Sequence, residues 1–175
     1  MPVYTIPLTH KTQTKCNDCW YASIQMLETW QNAGAKTKPS GAHTMHLHSG
    51  ILGHRLHADL HMSKHFQHVL TENGLICLPQ QVLDLTDVNS VYNALQTYGP
   101  IMVGGNFGEL MGGLVKNLGH FVVLAGVRTV QRQYMVHDPW ENVGPKWMTV
   151  AAFNAKAWGD DESSIVVDPP PAVNF

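Results

Sequence analysis

The chain has 175 residues, 44% of them apolar and only 14% charged, a composition that suits a globular protein large enough to bury one core and excludes a disordered one. A formal charge of −2 and a pI near 6.6 give no electrostatic basis for binding nucleic acid or an anionic membrane. Three cysteines (Cys16, Cys19 and Cys77) are too few, and odd in number, for a disulfide framework, which leaves a reducing compartment or thiols kept for chemistry.

Residues 1–15 read as extended and polar; they lack the charged segment and apolar run of a Sec signal peptide. No run approaches the ~18 apolar residues of a membrane span. The stretch "CWYASIQMLETWQNAG" spaces Trp20, Ile24, Leu27 and Trp30 at helical intervals, with Asn17 or Asp18 as cap and Gly34 as stop. Residues 36–56 read as a loop. "ADLHMSKHFQHVLTENG" predicts a second helix ending at Gly74, and "LICLPQQV" a short strand and turn. "TDVNSVYNALQTYG" predicts a third helix, capped by Thr86 or Asp87, with Val88, Val91 and Leu95 on one face.

After Gly99-Pro100, "IMVGG" reads as a short strand, residues 104–119 as a Gly-rich connection, and "HFVVLAGV" as a strand buried on both faces. "QRQYMVHDPW" reads as the next strand, "PKWMTVAAFNAKAW" as a turn with a partly helical piece, and "SSIVV" as the last strand. Helices first and strands last, with no βαβ alternation, predict an α+β fold in one domain. Its helical half would be about residues 1–98, its β-rich half about 99–168, and 169–175 a Pro-rich tail.

Chemistry centres on "QTKCNDCW". A redox Cys-x-x-Cys needs a thioredoxin-like βαβ context, which is missing, and a zinc site needs a second ligand pair, where Cys77 stands alone. The remaining reading is one nucleophilic thiol, Cys19, at a helix start, with Cys16 a bystander. His120 opens a strongly apolar strand and Asp138 follows on its expected neighbour, an arrangement that fixes an imidazole tautomer. Gln13, six residues before Cys19, supplies an amide for an oxyanion. His137 is a weaker rival for the base, since strand alternation puts it on the face opposite Asp138. Trp140 reads first as a core residue.

These residues resemble the papain-like cysteine peptidases. That family carries Gln, five residues, then Cys-Trp, as in Gln13 and Cys19-Trp20; a Gly-Pro-led apolar strand, as in "GPIMVGG"; and a histidine opening an apolar strand that ends in Gly, as in "GHFVVLAGV". Its third member lies in Asn-x-Trp, here Asp138-Pro139-Trp140. Asp18 before Cys19 and the aspartate in third place resemble the bacteriocin-processing peptidases, and the short chain with Asp-Pro-Trp resembles the papain-like effector proteases of plant pathogens. Departures are Asn17-Asp18 between the cysteines and the unmatched loop 36–56, so the specificity loops are expected to differ.

The resemblance implies Cys19 as nucleophile, His120 as base and then acid, Asp138 as orienter, and Gln13 with the Cys19 N–H as oxyanion hole. Trp20 and Trp140 would be supporting, Trp140 shielding the His–Asp bond from water, and the site would lie between the two halves. The expected activity is peptide or amide hydrolysis. A papain-fold deamidase, transglutaminase or peptidoglycan amidase would use the same triad. A catalytically silent binding module is the alternative outside enzymes.

Eight of eleven histidines lie between His43 and His68, with His57, His61 and His65 at i, i+4 spacing. No acid, cysteine or His-Glu-x-x-His pattern completes a metal site, so the cluster reads as a solvated, pH-sensitive helix face and no cofactor or metal is expected. The "GGNFGELMGG" stretch is no phosphate loop and reads as a mobile connection lining substrate pockets. The expected partners are a protein or peptide substrate and a cognate inhibitor or immunity protein, because 15 residues before Cys16 are too short for an inhibitory propeptide. A bacterial effector or toxin is expected, cytoplasmic or secreted by a specialised secretion system into a target cell.

Overall fold

The β-rich strands expected late in the chain form one antiparallel sheet, and two earlier segments join it. The computed structural model describes residues 3–14, 19–31, 70, 74–79, 81–110, 115–140, 143–158 and 164–167. The strands are β1 (Val3–Thr5), β2 (Leu75–Cys77), β3 (Ile101–Leu110), β4 (Val115–Arg128), β5 (Gln133–Asp138), β6 (Gly144–Thr149) and β7 (Ser164–Val167). They lie in the order β2-β7-β3-β4-β5-β6, with β1 paired to β4. Helices α1 (Cys19–Trp30), α2 (Val88–Tyr98) and α3 (Val150–Asn154) accompany them among the described residues. This is the α+β class expected. The predicted loop 36–56, most of the second predicted helix and the Pro-rich tail lie outside the described residues.

Alternation along the strands divides the core in two. Met102, Phe121, Val123 and Ile165 pack with Trp20, Ile24, Met26 and Leu27 of α1. Ile101, Val103, Val122, Leu124, Tyr134 and Val136 pack with Val91 and Leu95 of α2 and Phe153 of α3. The central strands are thus covered on both faces, as the apolar run "HFVVLAGV" requires. Cutting a fully buried member such as Leu27 or Leu124 to alanine costs about 2–5 kcal/mol.

The third predicted helix forms where its caps place it. Asp87 accepts from the Asn89 N–H at 2.9 Å, and Gly99 ends the helix by donating its N–H to Leu95 at 3.1 Å. Gly99 has φ +90°, and a Cβ there would collide with the Trp30 ring, so the last side chain of α1 seats directly on the end of α2. The α-helical span of α1 runs to Trp30, and the Gly34 stop read from sequence lies outside the described residues.

Two expectations are corrected. Residues 104–119 are not a Gly-rich connection throughout: β3 runs on to Leu110 and β4 begins at Val115, with bulges between Gly105 and Leu110. The glycines belong to the strand because another segment lies against them. A Cβ on Gly104 would come within 2.6 Å of the Trp158 ring, and the Trp158 N–H donates to the Gly104 carbonyl at 3.0 Å. Likewise Gly144–Thr149 is a strand rather than a turn, paired along its length with β5; Pro145 is tolerated there because β6 is an edge.

Candidate active site

Cys19 is the first residue of α1, at the end where free backbone N–H groups and the helix dipole favour negative charge. Its side chain is buried at 4% exposure, with Trp20 packed behind it at 1%. The helix is held on β4 by its apolar face and by the Ser23 hydroxyl, which donates to the Phe121 carbonyl at 3.4 Å. That bond joins α1 to the residue immediately after His120.

His120 stands on β4 opposite Gly105 of β3, and Asp138 closes β5. The sheet brings them together: His120 Nε2–H donates to Asp138 Oδ1 at 2.7 Å, with exposures of 1% and 6%. The Cys19 thiol lies within hydrogen-bonding reach of His120, and with Nε2 engaged by Asp138 the nitrogen left for it is Nδ1. Burial opposes charge on His120, but hydrogen bonding and electrostatic attraction from Asp138 and Cys19 outweigh it and raise the imidazole to about 9. Burial likewise pushes the Asp138 carboxyl up, but the His120 hydrogen bond and charge and the Trp140 N–H pull it net below its ordinary value.

Trp140 touches both members of the pair. Its backbone N–H donates to Asp138 Oδ1 at 2.9 Å, and its ring meets His120 edge-on at 5.6 Å between centres. Gln13 comes to the same corner by its backbone, donating its N–H to the Pro139 carbonyl at 2.7 Å. All six residues singled out from the sequence therefore lie on elements that meet around His120 and Asp138, whereas Cys16, Asp18 and the His43–His68 cluster lie outside the described residues.

His137, the rival base, sits apart from this network. It is 7% exposed and its ring lies 5.7 Å from that of His10, a residue the sequence did not single out. Burial, with a smaller contribution from His10, pushes His137 down to about 4. Burial also lowers His10, against the pull of Asp138. Only the adjacency of His10 to the Gln13 segment hinted at it in sequence. Among the described residues no group of three or more His, Cys, Asp or Glu side chains is placed to hold a metal.

Comparison with known proteins places this arrangement. The family described as papain-like cysteine protease AvrRpt2 matches residues 2–158. The peptidase domain of Streptococcus ComA, a bi-functional ABC transporter involved in a quorum-sensing pathway, matches with a TM-score of 0.56 and 18% identity over 92% of this chain and 98% of that one. The peptidase domain of Streptococcus mutans ComA, solved with a small-molecule inhibitor, matches with a TM-score of 0.50 and 19% identity over 90% and 96%. At such identities the likeness establishes a shared fold. A search of curated protein sequences finds no match.

Proposed function

The chain belongs to the papain-like cysteine protease AvrRpt2 family, and from that premise we propose that it cleaves peptide bonds with Cys19 as nucleophile, His120 as acid–base and Asp138 as orienter. The observation that carries this reading is the buried His120–Asp138 hydrogen bond of 2.7 Å, with Cys19 acting on the same ring. The pull of Asp138 and Cys19 raises the imidazole to about 9 and so keeps His120 protonated at neutral pH, the form that supports a nucleophilic sulfur beside it.

The Cys19 Sγ attacks the scissile carbonyl carbon, and the π electrons move to oxygen. The side-chain amide of Gln13 and the Cys19 backbone N–H stabilise that oxyanion. His120 gives its Nδ1 proton to the leaving amine as the C–N bond breaks, leaving a thioester. His120 then takes a proton from water, which attacks the thioester and returns the thiol. Asp138 keeps the ring in the tautomer and orientation both steps need, and Trp140 screens their bond from water.

The substrate is a protein or peptide of a target cell, the chain acting as an effector or toxin delivered by a specialised secretion system, with a cognate inhibitor or host factor restraining it. No helix among the described residues is long and apolar enough to cross a membrane. The test is digestion of a peptide library by the wild type and by Cys19→Ala, read by mass spectrometry. Paired products that sum to substrate plus one water, lost with Cys19→Ala, are expected. Intact peptides heavier by about one mass unit, the mark of glutamine deamidation, would overturn the peptidase reading while keeping the triad. Co-purification of a small inhibitor with the wild type is expected if the chain is restrained in its own cell, and Cys19-independent toxicity in the target cell would contradict the effector role.

A further inference from the structure

The N-terminal strap crosses the sheet and ends at the site. It is held by β1 on β4, by the Ile6 N–H on the Ala125 carbonyl at 2.7 Å, and by the Gln13 N–H on the Pro139 carbonyl at 2.7 Å. The tie at Gln13 meets the chain two residues after His137, and three residues before Gln13 the strap lays His10 against that same histidine, with ring centres 5.7 Å apart. Nδ1 of each ring is buried and has no hydrogen-bond partner among the described residues. The contact therefore accommodates two neutral rings but has no acceptor for the N–H that Nδ1 of an imidazolium must carry. The titratable and charged groups around the pair are Lys11 next to His10, Asp138 next to His137, His120 on β4, and Lys146 on β6 opposite Val136. Of these, Asp138 attracts a proton to His10, but burial outweighs that pull. Its Oδ1 is already engaged by the His120 Nε2–H and the Trp140 N–H. At His137, burial acts against charge and the neighbouring His10 acts in the same direction.

We propose that the His10–His137 contact is an acid-operated latch, which holds the end of the strap on β5 while both rings are neutral and releases it when either takes up a proton. In the contact an imidazolium is desolvated without a hydrogen bond in return, whereas on a released strap it is solvated. Protons from solvent therefore favour the released form. The sign follows by linkage: burial lowers His137 from the ordinary 6.5 to about 4 and lowers His10 as well. The contact thus contributes fully above pH 6.5, and its contribution is lost as pH falls through about 4. Release is local, because β1 and the Ile6 tie lie on the other side of His10 and neither they nor their partner residues 125–128 include a histidine. The segment that moves carries Gln13. On the reading of Gln13 as oxyanion donor, from which this consequence follows, release withdraws that donor from Cys19.

The latch is tested by amide hydrogen exchange of the Cys19→Ala chain, followed by NMR between pH 7 and pH 4. The readout needs no turnover, so its failure is distinct from a failure of the peptidase reading. Protection of the Gln13 N–H, expressed against an unstructured chain at each pH, should fall by on the order of a hundredfold over that range. This is the ratio given by a histidine that titrates at 6.5 when released and at about 4 in the contact. Protection of the Ile6 N–H should hold. Adding His137→Phe, which keeps an aromatic ring in place and removes the titrating nitrogens, should shrink the fall at Gln13 to less than tenfold. His10→Phe is an independent variant on the strap side of the contact and should shrink it too. Protection at Gln13 kept down to pH 4, an equal fall in all three chains, or Ile6 opening together with Gln13 would overturn the proposal.

Discussion

His120 and His137 are two buried imidazoles on neighbouring strands of one sheet, and their surroundings drive them in opposite directions. His120, at 1% exposure, has a carboxylate 2.7 Å away and a thiol acting on the same ring, and it is raised to about 9. His137, at 7% exposure, has another imidazole 5.7 Å away and is pushed down to about 4. Desolvation is the largest single cause in both, and it disfavours the charged ring in both. The sign of the outcome is set by what else lies within hydrogen-bonding distance. Burial thus makes a histidine sensitive, and its partners make it basic or inert.

Breaking the charged side of this comparison should have the largest effects. Cys19→Ala removes the proposed nucleophile and should lower kcat by on the order of 10⁶-fold, measured on whichever peptide the library yields. Asp138→Asn takes away the partner that distinguishes His120 from His137. Peptide turnover should fall by about 10⁴-fold, and the alkaline limb of the residual pH–rate profile should move down by about 1 unit or more. Gln13→Ala leaves the His120–Asp138 pair in place and removes the proposed oxyanion hydrogen bond, so kcat should fall by about 10²–10³-fold with KM little changed.

The intact chain sharpens the contrast through pH. Activity should decline as pH rises through about 9, where His120 loses the proton that the proposed mechanism gives to the leaving amine. Stability follows the same group: a folded value above the ordinary 6.5 adds stability that is fully present below pH 6.5 and lost as pH rises through about 9. The melting temperature of the wild type should therefore fall more steeply between pH 7 and 10 than that of His120→Ala. Parallel slopes would detach the imidazolium from the folded state.

What was legible in the sequence follows the same division between local and distant causes. Helix α2 could be read because its caps, Asp87 and Gly99, lie within the segment they terminate. The apolar run after His120 announced a strand covered on both faces, and the α1 and α2–α3 core clusters now account for it. The continuation of β3 beyond Gly105 was hidden, and what makes glycine suitable at Gly104 is a tryptophan more than fifty residues away. Strand β1, only three residues long, gave no alternation to read, and the edge strand β6 was masked by Gly144-Pro145. At the site, the types and order of Gln13, Cys19, His120 and Asp138 could be read, whereas the Gln13–Pro139 backbone tie and the His10–His137 contact depend on how the strap crosses the sheet.

The central claim is an ion pair between Cys19 and His120, and iodoacetamide labelling across pH 5–9 with mass spectrometry of each cysteine tests it most directly. Selective modification of Cys19 on the acidic side of neutrality, abolished by His120→Ala, is the result the geometry predicts. Slow and equal modification of Cys16, Cys19 and Cys77, following the free-thiol midpoint near 8.5 in both chains, would contradict it.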